Sequence, residues 1–169
     1  VRMLITAFPP FSNHATNVSQ EVLHEIERLG VYGIDVETSL LSVDQRGSAE
    51  VAHRILDGEE FRGIVHLGLA AKSEKIYLEK IARNRISMIE PDNSGRFSVS
   101  EEVVIGGLQN LETTAPVHVL DEEIEHDELV EWSTDSGGFV CNETFCRTLN
   151  ALHENDDSTT PALFVHLPP

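Results

Sequence analysis

The sequence is poor in cations and has no long apolar run, and each shortage argues against a class of function. Only three of its 169 residues are lysine, and 12 basic residues stand against 29 acidic ones, giving a formal net charge of −17. Nucleic-acid binding is not expected, because so few cations cannot neutralise a phosphate backbone. No apolar run approaches the ~20 residues that cross a bilayer, so no membrane partner is expected either.

Cysteine is also scarce. Cys141 and Cys146 lie five residues apart in one predicted helix and point to different faces, so no disulfide is expected between them. No closely spaced pair of cysteine or histidine residues resembles a zinc site. Residues 1–8 are typical of a first strand rather than a signal peptide. These features favour a reducing, cytoplasmic setting.

The acidic surplus has two interpretations. It is either a well-solvated surface or an adaptation to high salt, in which counterions screen the repulsion. The length of 169 residues and an apolar content of 40% predict a single domain over residues 1–169 with a sizeable core.

Strand and helix patterns alternate along the chain, which predicts an α/β fold with a mostly parallel sheet. Strands are predicted at 2–7, 31–43, 63–68, 129–132 and 162–166, and helices at 18–29, 46–57, 116–127 and about 141–153. Residues 75–82 mix apolar and charged side chains, with an alternation of period two. Residues 98–114 are interpreted as a surface loop or arm.

Cys141 is the first candidate for chemistry. Two glycines, Gly137 and Gly138, precede it, and apolar residues at helical spacing follow it. Unpaired N–H groups at a helix start favour a thiolate and can hold an oxyanion. The alternative is a buried cysteine that acts as a small apolar residue.

Glu79 and His166 are the candidate partners of this thiol. Glu79 has apolar neighbours and so needs a partner, unless it is a solvated glutamate on an edge strand. His166 ends a buried strand, where a histidine is also compatible with a purely structural role. If the strands are parallel, all three side chains meet at one sheet edge as nucleophile, base and orienting acid.

Six short motifs, in this order, resemble the type I pyroglutamyl peptidases (pyrrolidone-carboxylate peptidases), a family of cysteine peptidases. They are Thr6–Phe11, Asn17, Glu79–Asn84, Pro91–Gly95, Gly137–Asn142 and His166–Pro168. The resemblance runs essentially from end to end of the chain. It implies an open three-layer α/β/α sandwich, a cytoplasmic enzyme, no cofactor and often a homotetramer.

The resemblance also implies an activity and its residues. The reaction is removal of an N-terminal pyroglutamyl (5-oxoproline) residue from peptides, with N-terminally pyroglutamylated peptides as the partners. Cys141 takes the position of the nucleophile, His166 that of the base and Glu79 that of the orienting acid. Phe8 and Phe11 would hold the lactam ring, and Asn17 matches the asparagine that follows their loop. The alternative for the two phenylalanines is a place in the core.

The chain departs from the family pattern at several positions. Ile89 and Ser73 stand where many relatives have arginine, and relatives usually continue into a further helix after the closing histidine. These departures motivate an alternative, a catalytically weak or inactive relative that binds pyroglutamyl-like termini. A third reading is an α/β domain whose thiol is a redox sensor.

Overall fold

The computed structural model describes residues 1–169 and contains eight strands and four helices. The strands are β1 (Met3–Ala7), β2 (Val36–Leu40), β3 (Gly63–Leu69), β4 (Ile76–Glu79), β5 (Ile81–Arg83), β6 (Asn110–Glu112), β7 (Val130–Ser133) and β8 (Ala162–Leu167). The helices are α1 (Val18–Leu29), α2 (Gln45–Leu56), α3 (Val117–Ile124) and α4 (Val140–Glu154).

Six strands form one sheet in the order β2-β1-β3-β8-β4-β7. Four of its five strand pairs are parallel, and the β4–β8 pair is antiparallel. The α/β class and the mostly parallel sheet are therefore confirmed. The sheet is not parallel where Glu79 lies, because β4 is parallel to β7 but antiparallel to β8, the strand that carries His166.

Two apolar layers cover the sheet. On one face, α2 and α4 close the larger core, which includes the fully buried Leu4, Phe145 and Phe164. On the other face, α1 packs a smaller cluster around Leu23 and Leu67. Alternate residues of each strand point to opposite faces, so β3 and β8 feed both layers. Burial on both faces explains why these strands are almost continuously apolar.

The helix bounds agree closely with the sequence patterns. Asn17 begins α1, since its side chain accepts a hydrogen bond from the backbone N–H of Ser19. Asp44 caps α2 in the same way. The predicted strand 31–43 is shorter, because Val31 and Ile34 pair across a tight turn before β2 begins.

The arm is not wholly irregular. Within residues 98–114, β6 pairs with β5 in a second, antiparallel sheet of two strands. Asn84 holds the arm, because its side chain accepts from the backbone N–H of Val104 and donates to the Val104 carbonyl. None of the four helices combines the length and apolarity that a membrane span requires.

Candidate active site

A buried histidine–glutamate pair forms the centre of the site. Nδ1 of His166 lies 2.7 Å from Oε1 of Glu79, and Glu79 is 1% exposed. In the antiparallel pairing, Glu79 is opposite Phe164, two residues before His166 on β8. Such a diagonal neighbour lies about 7–8 Å away, within reach of a long side chain. The short strand β4 thus places the Glu79 carboxylate beside His166, although it is antiparallel to β8.

The pair and the neighbouring thiol change the protonation of His166. Burial opposes a charged ring, but hydrogen bonds to Cys141 and Glu79, together with their negative charges, outweigh it and raise the pKa of His166 to about 10. The ring therefore keeps its proton at neutral pH. A protonated imidazole in the same cavity as a thiol can act as a proton donor.

The sulfur of Cys141 lies at the start of α4. The first residue of the helix is Val140, and no side chain caps its N-terminus at Phe139. The first backbone N–H groups of α4 therefore have neither an intrahelical partner nor a side-chain cap. Gly68 on β3 leaves room for the sulfur, since a Cβ there would lie 3.0 Å from it and 2.8 Å from the ring of Phe164.

A fully buried asparagine fixes the start of α4. Oδ1 of Asn142 accepts from the backbone N–H of Arg83 at 2.9 Å and from the Ser136 hydroxyl at 2.8 Å. Its Nδ2 donates to the carbonyls of Arg83 and Arg85. All four contacts hold the residue that follows Cys141, so Asn142 positions the start of α4. The sequence analysis quoted it within a motif but gave it no role.

A second anchor is ionic, and the sequence analysis missed it. Glu143 on α4 is 1% exposed and forms ion pairs with Arg96 and Arg147 at 2.6 and 2.9 Å. Arg96 also pairs with Asp92 at 2.9 Å, which ties the Pro91–Gly95 turn to α4, the helix that carries Cys141. The two arginine partners of Glu143 are 47 and 4 residues away from it along the chain. Only the turn motif around Asp92 indicated this anchor in the sequence.

An open cavity of about 590 Å³ adjoins the thiol. Its wall includes Cys141, Glu79 and His166, and the rings of Phe11 and Phe139 form a tilted pair with centroids 5.7 Å apart. The remaining lining residues are His14, Leu69, Ala70, Ala71, Lys72, Ser73, Tyr77, Ile89, Glu90, Ser133, Asp135, Ser136 and Gly137.

Phe8 and Asn17 lie outside this wall. Phe8 is 2% exposed and packs in the core, with its ring centroid 6.5 Å from that of Phe164. Asn17 caps α1 and donates to the carbonyl of Pro9 at 3.1 Å, so it supports the loop that carries Phe11. The aromatic partner of Phe11 in the wall is Phe139, which the sequence analysis did not select although it sits in the Gly-Gly-Phe-Val-Cys run.

The second cysteine has a different environment. Cys146 is fully buried in the core, and burial raises the pKa of its thiol to about 12. It is therefore a small apolar residue in practice. The structure contains no group of three or more histidine, cysteine or acidic side chains arranged to hold a metal ion.

Comparisons with known proteins identify the family and support the fold. A pyrrolidone-carboxylate peptidase from Halalkalibacterium halodurans is 30% identical over 98% of this chain and 83% of its own length. Pyrrolidone carboxyl peptidases from Fervidobacterium islandicum and Thermus thermophilus have similar crystal structures, with TM-scores of 0.89 and 0.84. They are 26% and 29% identical to it, and the match covers 99% of this chain and 81% and 84% of theirs. The model of the pyroglutamyl peptidase family matches residues 1–169, and the chain belongs to that family of hydrolases.

Proposed function

We propose that this protein removes N-terminal pyroglutamyl residues from peptides by thiol chemistry at Cys141. The observation that carries the proposal is the 2.7 Å contact between Nδ1 of His166 and Oε1 of Glu79, in the wall of the same open cavity that Cys141 lines. Nucleophile, base and orienting acid are the three groups that covalent acyl transfer requires.

The reaction would run in two halves. The Cys141 thiolate attacks the pyroglutamyl carbonyl carbon, and N–H groups at the start of α4 hold the developing oxyanion. The C–N bond breaks as His166 gives its proton to the leaving amine, which leaves a thioester on Cys141. His166 then takes a proton from water, the hydroxide adds to the thioester, and 5-oxoproline departs as the thiolate reforms.

The cavity suits a pyroglutamyl group. This terminus has no ammonium group, so it needs apolar walls and a few hydrogen bonds rather than a carboxylate anchor. The rings of Phe11 and Phe139 provide such a wall beside the thiol. A site built to pair the lactam should reject proline, because the buried polar groups that meet the ring carbonyl would be left without partners.

Hydrolysis of a fluorogenic pyroglutamyl amide tests the proposal. We expect turnover by the wild type, none with the prolyl analogue, and loss of turnover in Cys141→Ala. Cys146→Ala is the matched control, because Cys146 lies on the same helix but its thiol is buried in the protein core. This variant should leave turnover unchanged.

Two results would reject the proposed mechanism. Turnover that survives in Cys141→Ala would exclude the nucleophile. A wild type that binds a pyroglutamyl peptide in calorimetry without hydrolysing it would instead identify a binding protein, the alternative that Ile89 and Ser73 raise.

A further inference from the structure

A solvent-exposed isoleucine lines the cavity. Ile89 is 91% exposed, yet it lines the cavity that holds the Cys141 thiol. A large β-branched side chain in water gains free energy when a partner covers it. Single exposed apolar residues are common on protein surfaces, so position and rigidity decide whether this one has a role.

The backbone around Ile89 is fixed on both sides. Met88 before it is 2% exposed and donates its N–H to the carbonyl of Ser98. Glu90 after it accepts a hydrogen bond from the Ser12 hydroxyl at 2.6 Å. Further along, Asp92 is tied through Arg96 to α4. Ile89 is therefore held in the open position rather than able to fold back into the core.

The second anchor also places Ile89 next to the aromatic wall. Ser12 follows Phe11 directly, so the Glu90–Ser12 contact brings residues 89–90 to the edge of the loop that carries Phe11. At about 590 Å³ the cavity also exceeds the volume of one pyroglutamyl group. A lactam placed at the Phe11–Phe139 pair would leave the rest of the cavity, whose lining includes Ile89, for the residues that follow it in the peptide.

We propose that Ile89 is a specificity-determining residue that contacts the side chain directly after the pyroglutamyl group and favours substrates with a large apolar residue there. The inference rests on the proposed function. Because the backbone around Ile89 is already fixed, contact with an apolar substrate side chain requires no ordering of this segment. Ile89 would make this contact before the peptide bond is cleaved. The substrate residue that it contacts leaves with the amine, so the rate of thioester hydrolysis should not depend on that residue.

Charged groups also line the cavity and must be separated from this effect. Glu90 and Asp135 are acidic, and Lys72 and His14 are basic. Oδ1 of Asp135 lies 3.5 Å from Nη1 of Arg83, and the carboxylate of Glu90 accepts a hydrogen bond from the Ser12 hydroxyl. A panel of pyroglutamyl dipeptide amides with leucine, alanine, lysine or glutamate in second place distinguishes size from charge. C-terminal amides are used so that Lys72 meets no carboxylate.

We expect kcat/KM of the wild type to be about five- to tenfold higher for the leucine amide than for the alanine amide. Ile89→Ser should bring this ratio close to one, and Ile89→Leu should keep it. Ile105→Ser is the matched control, since Ile105 is 94% exposed and does not line the cavity. It should keep the wild-type ratio. The rate of thioester hydrolysis, measured from burst kinetics, should be the same for leucine and alanine amides.

Three results would overturn the inference. The first is an equal kcat/KM for leucine and alanine amides with the wild type. The second is a lysine amide preferred over the leucine amide, which would assign selectivity to the carboxylates. The third is a leucine-to-alanine ratio that Ile89→Ser leaves unchanged. If no pyroglutamyl amide is hydrolysed at all, the proposed function fails and takes this inference with it, whereas turnover without preference rejects the inference alone.

Discussion

Two buried histidines on neighbouring strands have opposite protonation. His66 on β3 and His166 on β8 both face the α4 side of the sheet and flank the same ring, that of Phe164, at centroid distances of 5.8 and 4.7 Å. His66 is fully buried, and burial lowers its pKa to about 3. The pKa of His166 is raised to about 10.

The difference comes from the groups that each ring meets. Nδ1 and Nε2 of His66 lie 2.7 and 3.0 Å from the hydroxyls of Thr6 and Thr148, which satisfy a neutral ring without stabilising a charge. His166 meets a carboxylate and a thiol instead. A histidine in this core is thus neutral and structural until acidic partners make it a cation.

Removal of each histidine ring in turn should give the largest difference between His66 and His166. We expect His166→Ala to lower kcat/KM for a pyroglutamyl amide by at least about 10³-fold, because the thiolate loses its cation and the leaving amine its proton donor. His66→Ala should leave kcat/KM per folded molecule nearly unchanged. It should lower the free energy of unfolding by about 2–4 kcal/mol, since a cavity forms and two hydroxyls lose a partner.

Steady-state kinetics and urea denaturation of both variants measure these effects. Far-ultraviolet circular dichroism controls for folding. An equal loss of kcat/KM in the two variants would mean that the chemical distinction between the histidines is wrong.

Glu79→Gln tests the charge while keeping a side chain of the same shape. We expect kcat to fall about 10²- to 10³-fold, as the amide can hold the ring only in altered tautomers and no longer stabilises its charge. Removing the carboxylate lowers the pKa of His166 from about 10, so the alkaline limb of the kcat/KM profile should move to lower pH.

The matched control for this variant is Glu90→Gln, on the cavity wall without contact to His166. It should keep the alkaline limb where the wild type has it. A limb that stays in place in Glu79→Gln would show that the carboxylate does not set the charge of the ring.

Much of this arrangement was predictable from local patterns. The sequence predicts a helix at 18–29 with the bounds of α1, because its apolar residues are regularly spaced and Gly30 follows them. Cys141 is indicated by the preceding glycines and the start of a helix. His166 is indicated by its place at a strand end and Glu79 by its apolar neighbours, but only the motif resemblance distinguishes His166 from the seven other histidines.

What escaped prediction depends on contacts between distant segments. Nothing local in residues 76–79 shows that β4 is antiparallel to β8, since the direction of a strand depends on how the connections before and after it return the chain to the sheet. The clamp of Asn142 joins residues 57 and 59 positions apart. Phe139 lines the cavity with Phe11, whereas Phe8 does not. This difference depends on the direction of each side chain, and a shift of one residue along an extended segment reverses that direction.

The two histidines should also give opposite pH dependences of stability. An unfolded histidine titrates near 6.5. Because the pKa of His66 is lowered to about 3 on folding, its contribution to stability is lost as pH falls below about 6.5. Because the pKa of His166 is raised to about 10, its contribution is complete below about 6.5 and is lost as pH rises toward 10.

Urea denaturation between about pH 5 and 8 measures both effects, each about 1–2 kcal/mol across its half of the range. His66→Gln should flatten the acid side and His166→Gln the alkaline side. The pKa of Asp157 is lowered to about 2, so its own loss begins at more acidic pH and does not interfere. Acid and alkaline slopes that both survive in the two variants would rule out the histidines as their source.

The smallest expected effect concerns charges outside this core. A net charge of −17 repels itself across the surface, and added salt screens exposed charges but hardly reaches the buried His166–Glu79 pair. We expect the melting temperature to rise by a few degrees between about 0.1 and 1 M KCl, a shift typical of about 1 kcal/mol in a chain of this size. A triple variant of exposed α3-region residues, with Glu122, Glu123 and Glu125 each changed to glutamine, should gain less from KCl. Equal gains in the two proteins would attribute the stabilisation to a general salt effect on apolar burial, and no gain in either would remove high-salt adaptation as an explanation of the acidic surface.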